Sequence, residues 1–344
     1  MALKLGICSL AQDCPFQRFW RRGLMSASLL AFTRQPTAAG KALFERLMPE
    51  ICDSGGVNRI TTPGRFTGLD AAVQECLATI FPPGFSLRVQ DWAVSSGITA
   101  AEWFTVLRQN YPDVDLTASD RLTYLVEARL PETGETYIVE PDGAPLQYIR
   151  PPFVLSLVQS QHWLYPVNRI LQRSALRNWR EALATRLRIP AEWHDSEDPG
   201  VTSVEAPPFV LRRLPLVHPD ATALCGERFH IRTHSVFEPA KHRAHVIRTM
   251  NILNRAYFTD DQLQDAAVAV ETSLDPGGVW IVGRTLVEPP FDNHVTVFRK
   301  CDDGWETLLR IGAGSEMEPI VASLSGTKRL SAAASGPRRG RQVG

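Results

Sequence analysis

Apolar residues recur at helical spacing in "FWRRGLMSASLLAF", in "AGKALFERLMPEI" and again in "GLDAAVQECLATIF". That pattern predicts a helical N-terminal region over residues 1–85. "CDSGGVNRITTPGRF" interrupts it with Gly and Pro, and Pro82-Pro83-Gly84 ends it. From Phe85 the period changes. "SLRVQDWAV" predicts a strand, "AAEWFTVLRQN" a helix and "DVDLTASD" a second strand. This is a βαβ unit, which implies parallel strands.

The middle of the chain is less regular. "RLTYLVEAR" is expected to be helical, and "ETYIVEPDGAPLQYI" to form a hairpin around Pro-Asp-Gly. In "HWLYPVNRILQRSALRNWREALATRL" helical spacing places Trp163, Val167, Ile170, Leu171, Leu176, Trp179, Leu183 and Leu187 on one face. "WHDSEDPGVTSVEAPP" is acidic and Pro-rich and is expected to be an exposed loop. The α/β pattern then resumes. "RFHIRTHSVF" and "HVIRTMNIL" predict strands, and "TDDQLQDAAVAVETSL" predicts a helix capped by Thr259. "DPGGVWIVGRT" is a turn feeding a buried strand, and "HVTVFRKCDDGWETLLRIG" is a closing hairpin.

Strand-helix units on both sides of an irregular middle predict an α/β fold. Its core is one open, doubly wound, mostly parallel sheet, Rossmann-like in kind. That domain is expected over residues 86–320, its strands drawn from 86–130 and 210–320, with an insertion at 131–209. Residues 321–344 are small, polar and basic, and are expected to be a disordered tail.

Composition narrows the partners. Lys and Arg together number 37, as do Asp and Glu. No global field draws in nucleic acid or an anionic membrane, so a neutral or zwitterionic partner, or another protein, is expected. No run approaches the ~20 apolar residues of a membrane span, and "MALKLGICSLAQDC" lacks the apolar stretch of a signal peptide. Cys8, Cys14, Cys52, Cys76, Cys225 and Cys301 form no Cys-x-x-Cys pair and have no His at metal spacing. Neither a metal site nor a disulfide framework is expected, but reduced thiols in a cytoplasmic protein.

In an open α/β sheet, ligands bind beyond the carboxyl ends of the strands. The first such end is "AVSSGIT". Gly97 permits close backbone approach, and Ser95 and Ser96 place hydroxyls beside helix-start amides. A plain strand-helix turn is the other reading. Gly-x-Gly-x-x-Gly and Gly-Lys-Ser/Thr are both absent, which disfavours a dinucleotide and excludes a phosphate-binding P-loop. The second end is "TASD". Asp120 either accepts both hydroxyls of a ribose or caps a "RLTYLVEAR" helix, and its pairing with the turn at Gly97 favours the ribose. Ser235 in "THSVF" and Asn251 in "RTMNIL" close two further strands and face the same crevice.

Several segments in order resemble one family. "VSSGITAAEW" is similar to a Cys-Ser-Ser-Gly segment, and "TASD" to Ala-Thr-Asp. His245-Val246-Ile247, Asn251-Ile252-Leu253, Tyr257-Phe258 and Leu274-Asp275-Pro276-Gly277-Gly278 match a strand, helix and Pro-Gly-Gly turn. The family is the class I S-adenosylmethionine-dependent methyltransferases, most similar in type to the bacterial chemotaxis-receptor glutamate methyltransferases. The resemblance covers about half of the chain. It implies S-adenosylmethionine as cofactor. Ala93, Ser95, Ser96 and Gly97 would pass its methionine part, and Asp120 would hold the ribose. Ser235-Val236 and Asn251-Ile252 would flank the adenine and sulfonium. The chain departs from the family at Ala93, where the family has a turn glycine, and at Ile98-Thr99, where the family has an acidic pair. Arg65 stands where the family carries an arginine at the reaction centre, and "RFWRR" is a short candidate for its basic docking helix.

The expected activity is methyl transfer to a small-molecule or protein acceptor. His218, His234 and Tyr257 are the candidates for a general base, with none singled out. The rival is a binding or scaffold protein that keeps the fold without turnover. Ala93 and the missing acids favour it; Asp120, Asn251 and Gly277-Gly278 favour the enzyme. A nicotinamide-dependent oxidoreductase is weakened by the missing glycines.

Overall fold

Where each strand falls is set by what covers its two faces, and this differs sharply along the chain. The computed structural model describes residues 25–56, 59, 61–151, 153–158, 166–195, 202–287 and 291–324. Its first half runs α1 (Ala38–Leu47), α2 (Thr67–Ala78), β1 (Arg88–Trp92), α3 (Ile98–Leu107), β2 (Asp115–Asp120), β3 (Tyr124–Arg129), β4 (Thr136–Val139), β5 (Pro145–Arg150), β6 (Phe153–Ser156) and α4 (Pro166–Asn178). Then follow α5 (Glu192–Asp195), β7 (Ser203–Ala206), β8 (Phe209–Pro215), α6 (Pro219–Leu224), β9 (Phe229–Thr233), β10 (Ala244–Met250), α7 (Asp260–Ser273), β11 (Leu274–Val287), β12 (Asp292–Cys301) and β13 (Gly304–Ile311). The chain divides into two units. The first comprises Met1–Pro63, Ser95–Ala101 and Leu122–Thr233; the second comprises Gly64–Val94, Glu102–Arg121 and His234–Gly344.

The first unit is built on a six-stranded sheet in the order β6-β5-β4-β3-β8-β7, antiparallel throughout. Both faces are covered. Leu122, Leu125, Ile138, Ile149 and Leu214 pack with Leu30, Phe44 and Leu47. Tyr124, Val126, Tyr137, Val139 and Leu211 pack with Ala175, Trp179 and Leu183. Successive residues of a strand point to opposite faces, so β3 is apolar on both. "RLTYLVEAR" is therefore a strand and not a helix, and Asp120 has no helix there to cap.

The hairpin around Pro-Asp-Gly forms as expected between β4 and β5. Gly143, at φ 89°, donates its N–H to the Glu140 carbonyl at 2.9 Å. Trp179 and Leu183 are buried on the predicted face of the long helix, but Ile170 and Leu171 are exposed. Trp163 and the side chain of Val167 lie outside the described residues. Part of the expected acidic loop is strand β7, paired with β8. β3 and β8, expected in the parallel sheet, belong to the antiparallel one.

In the second unit the strands follow the order β13-β12-β11-β10-β1-β2. β2, β1, β10 and β11 are parallel neighbours, and β12 and β13 close the edge as an antiparallel hairpin. The sheet is doubly wound. On one face Trp92, Ile247, Trp280 and Val282 pack against Leu263, Ala266 and Val270 of α7. On the other, Arg248 of β10 reaches Asp70 of α2 and the ring of Trp103 on α3. Helix α7 starts at a capping box. Thr259 accepts from the Gln262 N–H, and the Gln262 side chain accepts from the Thr259 N–H. Residues 318–324 are helical. "RFWRR", Cys8, Cys14 and the chain beyond residue 324 lie outside the described residues. No described helix is long and apolar enough to cross a membrane.

Candidate functional site

Strand β1 has β2 on one side and β10 on the other. The chain adds a strand in one direction and then returns to build in the other, so the order reverses at β1. Ligand crevices of doubly wound sheets open at such a reversal, beyond the carboxyl ends. Trp92, the last residue of β1, is in register with Ser119 and with Thr249. One step further on, Ala93, Asp120 and Met250 reach the carboxyl edge of the sheet together.

The backbone here is strained. Ala93 has φ 60° and Asn251 has φ 61°. For a residue with a Cβ the left-handed region costs roughly 1–2 kcal/mol, less for Asn. Asn251 is held there by its neighbours. Its N–H donates to the Gly283 carbonyl at 2.9 Å, and its Oδ1 accepts from the Thr285 N–H at 2.6 Å. Thr285 Oγ1 donates to Asn293 Oδ1 at 2.8 Å, and Asn293 Nδ2 donates to the Arg65 carbonyl at 3.3 Å. This chain of bonds ties the ends of β10, β11 and β12 together. Ala93 has no polar side chain to justify its conformation. It packs with Ile252 against the cluster that holds Trp92 and Val236.

Asp120 ends β2 and is mostly buried. Its carbonyl accepts from the His234 N–H at 3.0 Å, which brings the Ser235-Val236 segment to the end of β2. The His234 ring stands edge-on to Trp92 at 4.7 Å. Burial pulls its imidazole below the ordinary range, against the weaker pull of Glu238, so it is neutral at neutral pH. Its buried Nε2 meets no partner among the described residues.

Below these strand ends lies a group that the hydrophobic pattern did not reveal. Arg248, in β10, is fully buried. It pairs with Asp70 at 2.8 Å and with Asp91 of β1, and its guanidinium sits 4.0 Å over Trp103 and 5.3 Å from Phe66. Two carboxylates share one cation. Burial raises both acids, and Asp70 is pushed up to about 7. Burial also raises Glu102 nearby, which accepts from the Gly64 N–H at 2.8 Å. Asp91 lies two residues before Ala93 and Arg248 three before Asn251, so the pair locks together the strands that carry both strained residues.

A cavity of about 260 Å³ adjoins the end of β10. Leu253, Gly283, Arg284, His294, Ser315 and Glu316 are among its walls. Arg284 pairs with Glu316 at 2.7 Å. His294 accepts from the Ala313 N–H and lies 3.0 Å from Asp292.

Ser95, Ser96, Gly97 and His218 fall in the first unit. Ser95 has φ 56°, and its carbonyl accepts from Arg59 Nη2 at 3.0 Å. Ser96 is buried, and its carbonyl accepts from the His218 N–H at 2.8 Å. Gly97 has φ 76°, and a Cβ there would meet Ile231 and Ala221 only at ordinary contact distance. What requires glycine is the backbone conformation, not crowding. Ala93, Ser95 and Gly97 thus alternate in the left-handed region, where the sequence showed one glycine. His218 serves structure: its Nδ1 accepts from the Asp220 N–H at the start of α6, and its ring meets Phe44 edge-on. Tyr257, in the second unit, is half exposed. Among the described residues no group of three or more His, Cys, Asp or Glu side chains is placed to hold a metal ion.

No family model matches the chain, and no curated protein matches it. Solved structures do. One is the mitomycin 7-O-methyltransferase MmcR, at 12% identity and TM-score 0.27, covering 76% of this chain and 44% of that one. Another is the amino pentose methyltransferase CalS10 from Micromonospora echinaspora with SAM bound, at 10% identity and TM-score 0.29, covering 75% and 82%. Human N-acetylserotonin methyltransferase in complex with SAM is similar at 9% identity and TM-score 0.28, covering 74% and 40%. The chain spans under half the length of the first and third. None of the three is named as a chemotaxis-receptor enzyme, and that finer resemblance finds no support in them. At these scores no residue role transfers, and the site rests on its own geometry.

Proposed function

We propose that the carboxyl edge of the second unit's sheet binds S-adenosylmethionine and that the chain transfers its methyl group to a small-molecule or protein acceptor. The observation that carries this is Ala93. An alanine kept in the left-handed region, at the reversal point of a doubly wound sheet and beside a buried carboxylate, is strain that stability alone does not explain. The donor set fits the cofactor. Asp120 offers two acceptor oxygens to a ribose diol. Val236 and Ile252 offer apolar surface to an adenine, and the turn at Ala93 brings backbone close to the methionine part. No phosphate-wrapping glycines are present, as suits a cofactor without a pyrophosphate.

When bound, the cofactor supplies a methyl group already activated on a sulfonium. The chain's own task is to hold acceptor and cofactor in line and keep water out. Asn251 fixes the end of β10 through Thr285. His234 is the group at this edge suited to take a proton from an acceptor, at Nε2, because it is neutral and unpaired there. The cavity beside Leu253 and Arg284 suits a small acceptor.

The second reading, a cofactor-binding protein without turnover, is favoured by the methyl group of Ala93, which narrows the backbone approach. Native mass spectrometry of the full chain tests the proposal. It predicts a one-to-one adduct with S-adenosylhomocysteine and none with NAD. An adduct with NAD, or none with either, contradicts it.

A further inference from the structure

The helix that begins at α4 continues through Trp179–Leu183 and Ala184–Arg186. Between Pro166 and Pro190 the chain carries six arginines, no lysine and one acid, Glu181. In a chain of zero net charge this is a concentrated local excess of positive charge. Arg169, Arg173, Arg177 and Arg180 recur at spacings of four, four and three residues. At about 100° per residue they form one stripe, roughly 16 Å long. All six are exposed, and among the described residues none takes part in an ion pair.

The opposite face is anchored. Ala175, Trp179 and Leu183 are buried on the antiparallel sheet. The Trp179 indole N–H donates to the Gly143 carbonyl at 3.1 Å, and the Tyr137 hydroxyl to the Ala175 carbonyl at 3.4 Å. The helix is therefore fixed with its stripe outward.

Beside the stripe stands one large aliphatic residue, Ile170, at 66% exposure, whereas Leu171 lies round the helix toward the anchored Ala175. Ile170 decides between anionic partners. A nucleic-acid surface interleaves basic residues with exposed aromatics on which bases stack. The aromatic residue of this helix among those described, Trp179, is buried instead. Exposed aliphatics gain little against a phosphate backbone, but they gain by entering the acyl boundary of a bilayer.

We infer that this helix docks the protein onto an anionic phospholipid surface, with the arginines on the headgroup phosphates and Ile170 inserted beside them. The contact is peripheral and does not involve a membrane-spanning segment.

Co-sedimentation of the full chain with vesicles tests this. The chain should sediment with equal-part phosphatidylcholine and phosphatidylglycerol vesicles at low salt, but not with phosphatidylcholine alone. About 0.5 M NaCl should release it. The combined Arg169→Gln, Arg173→Gln and Arg177→Gln variant should lose about a hundredfold in partitioning, at about fivefold per arginine. Ile170→Ser should lose about fivefold. These positions are on the surface, and unchanged circular dichroism will show that the variants are folded. Failure to bind anionic vesicles, or equal binding by the arginine variant, overturns the inference. Unchanged binding by the aliphatic variant, or binding to RNA without binding to vesicles, overturns it too.

Discussion

Replacing the Asp70 carboxyl by an amide should change how the stability of the second unit depends on pH. Asp70 and Asp91 share Arg248 in a buried site. One carboxylate is balanced by the guanidinium; the other adds uncompensated negative charge. Burial, reinforced by Asp91 and Glu102 against the pull of Arg248, lifts Asp70 from 3.8 to about 7. Between those two values the folded chain holds a proton that the unfolded chain has released. Stability from this group is therefore complete below about pH 4 and is lost as pH rises through about 7. A shift of about three units at about 1.4 kcal/mol each amounts to about 4 kcal/mol. An amide in place of the carboxyl mimics the protonated acid at every pH. The measurement is urea unfolding of the chain and of Asp70→Asn, followed by circular dichroism at about pH 4 and about pH 8. The variant should be close to the parent at the lower pH and more stable by roughly 2–4 kcal/mol at the higher. A difference that does not change with pH, or a variant that is less stable at high pH, would refute the reasoning.

Other outcomes follow from the same geometry. Added to Asp70→Asn, Asp91→Asn removes the remaining balanced charge and should destabilise by roughly 3–5 kcal/mol at neutral pH relative to Asp70→Asn alone, read in the same unfolding assay. Ala93→Gly should stabilise by roughly 0.5–1 kcal/mol, because relief of the left-handed strain exceeds the added freedom of the unfolded chain, whereas Ala93→Val should destabilise by more than about 2 kcal/mol; a stabilising Ala93→Val change would show that the conformation has been misread. Asn251→Ala loses both tolerance of φ 61° and the acceptor for the Thr285 N–H. It should cost roughly 2–4 kcal/mol in the same assay, and Asn251→Gly should recover part of that.

The parallel strands were legible because they are short apolar runs with polar residues at their ends, and those ends led directly to Asp120 and Asn251. The strand β3 was not. Leu122, Leu125, Val126 and Arg129 fall at helical spacing by coincidence, since one face of β3 meets the N-terminal helices and the other meets Trp179. Covered on both sides, it lacks the apolar-polar alternation that marks a half-buried strand. The strain at Ala93 and Ser95 was also hidden. A left-handed backbone is visible in sequence when glycine occupies it, and in this turn only Gly97 does. The ion cluster escaped for a different reason. Asp70 and Arg248 are 178 residues apart, and no local period links them. Its one local sign was a charged residue inside each of the strands β1 and β10.

The decisive measurement is isothermal titration of S-adenosylhomocysteine into the full chain and into Asp120→Ala. One site per chain is expected, with affinity at least about tenfold weaker in the variant because two hydrogen bonds to the ribose are lost. Equal affinity in the two proteins, or no heat with either, would contradict a cofactor crevice at the carboxyl ends of β1, β2 and β10.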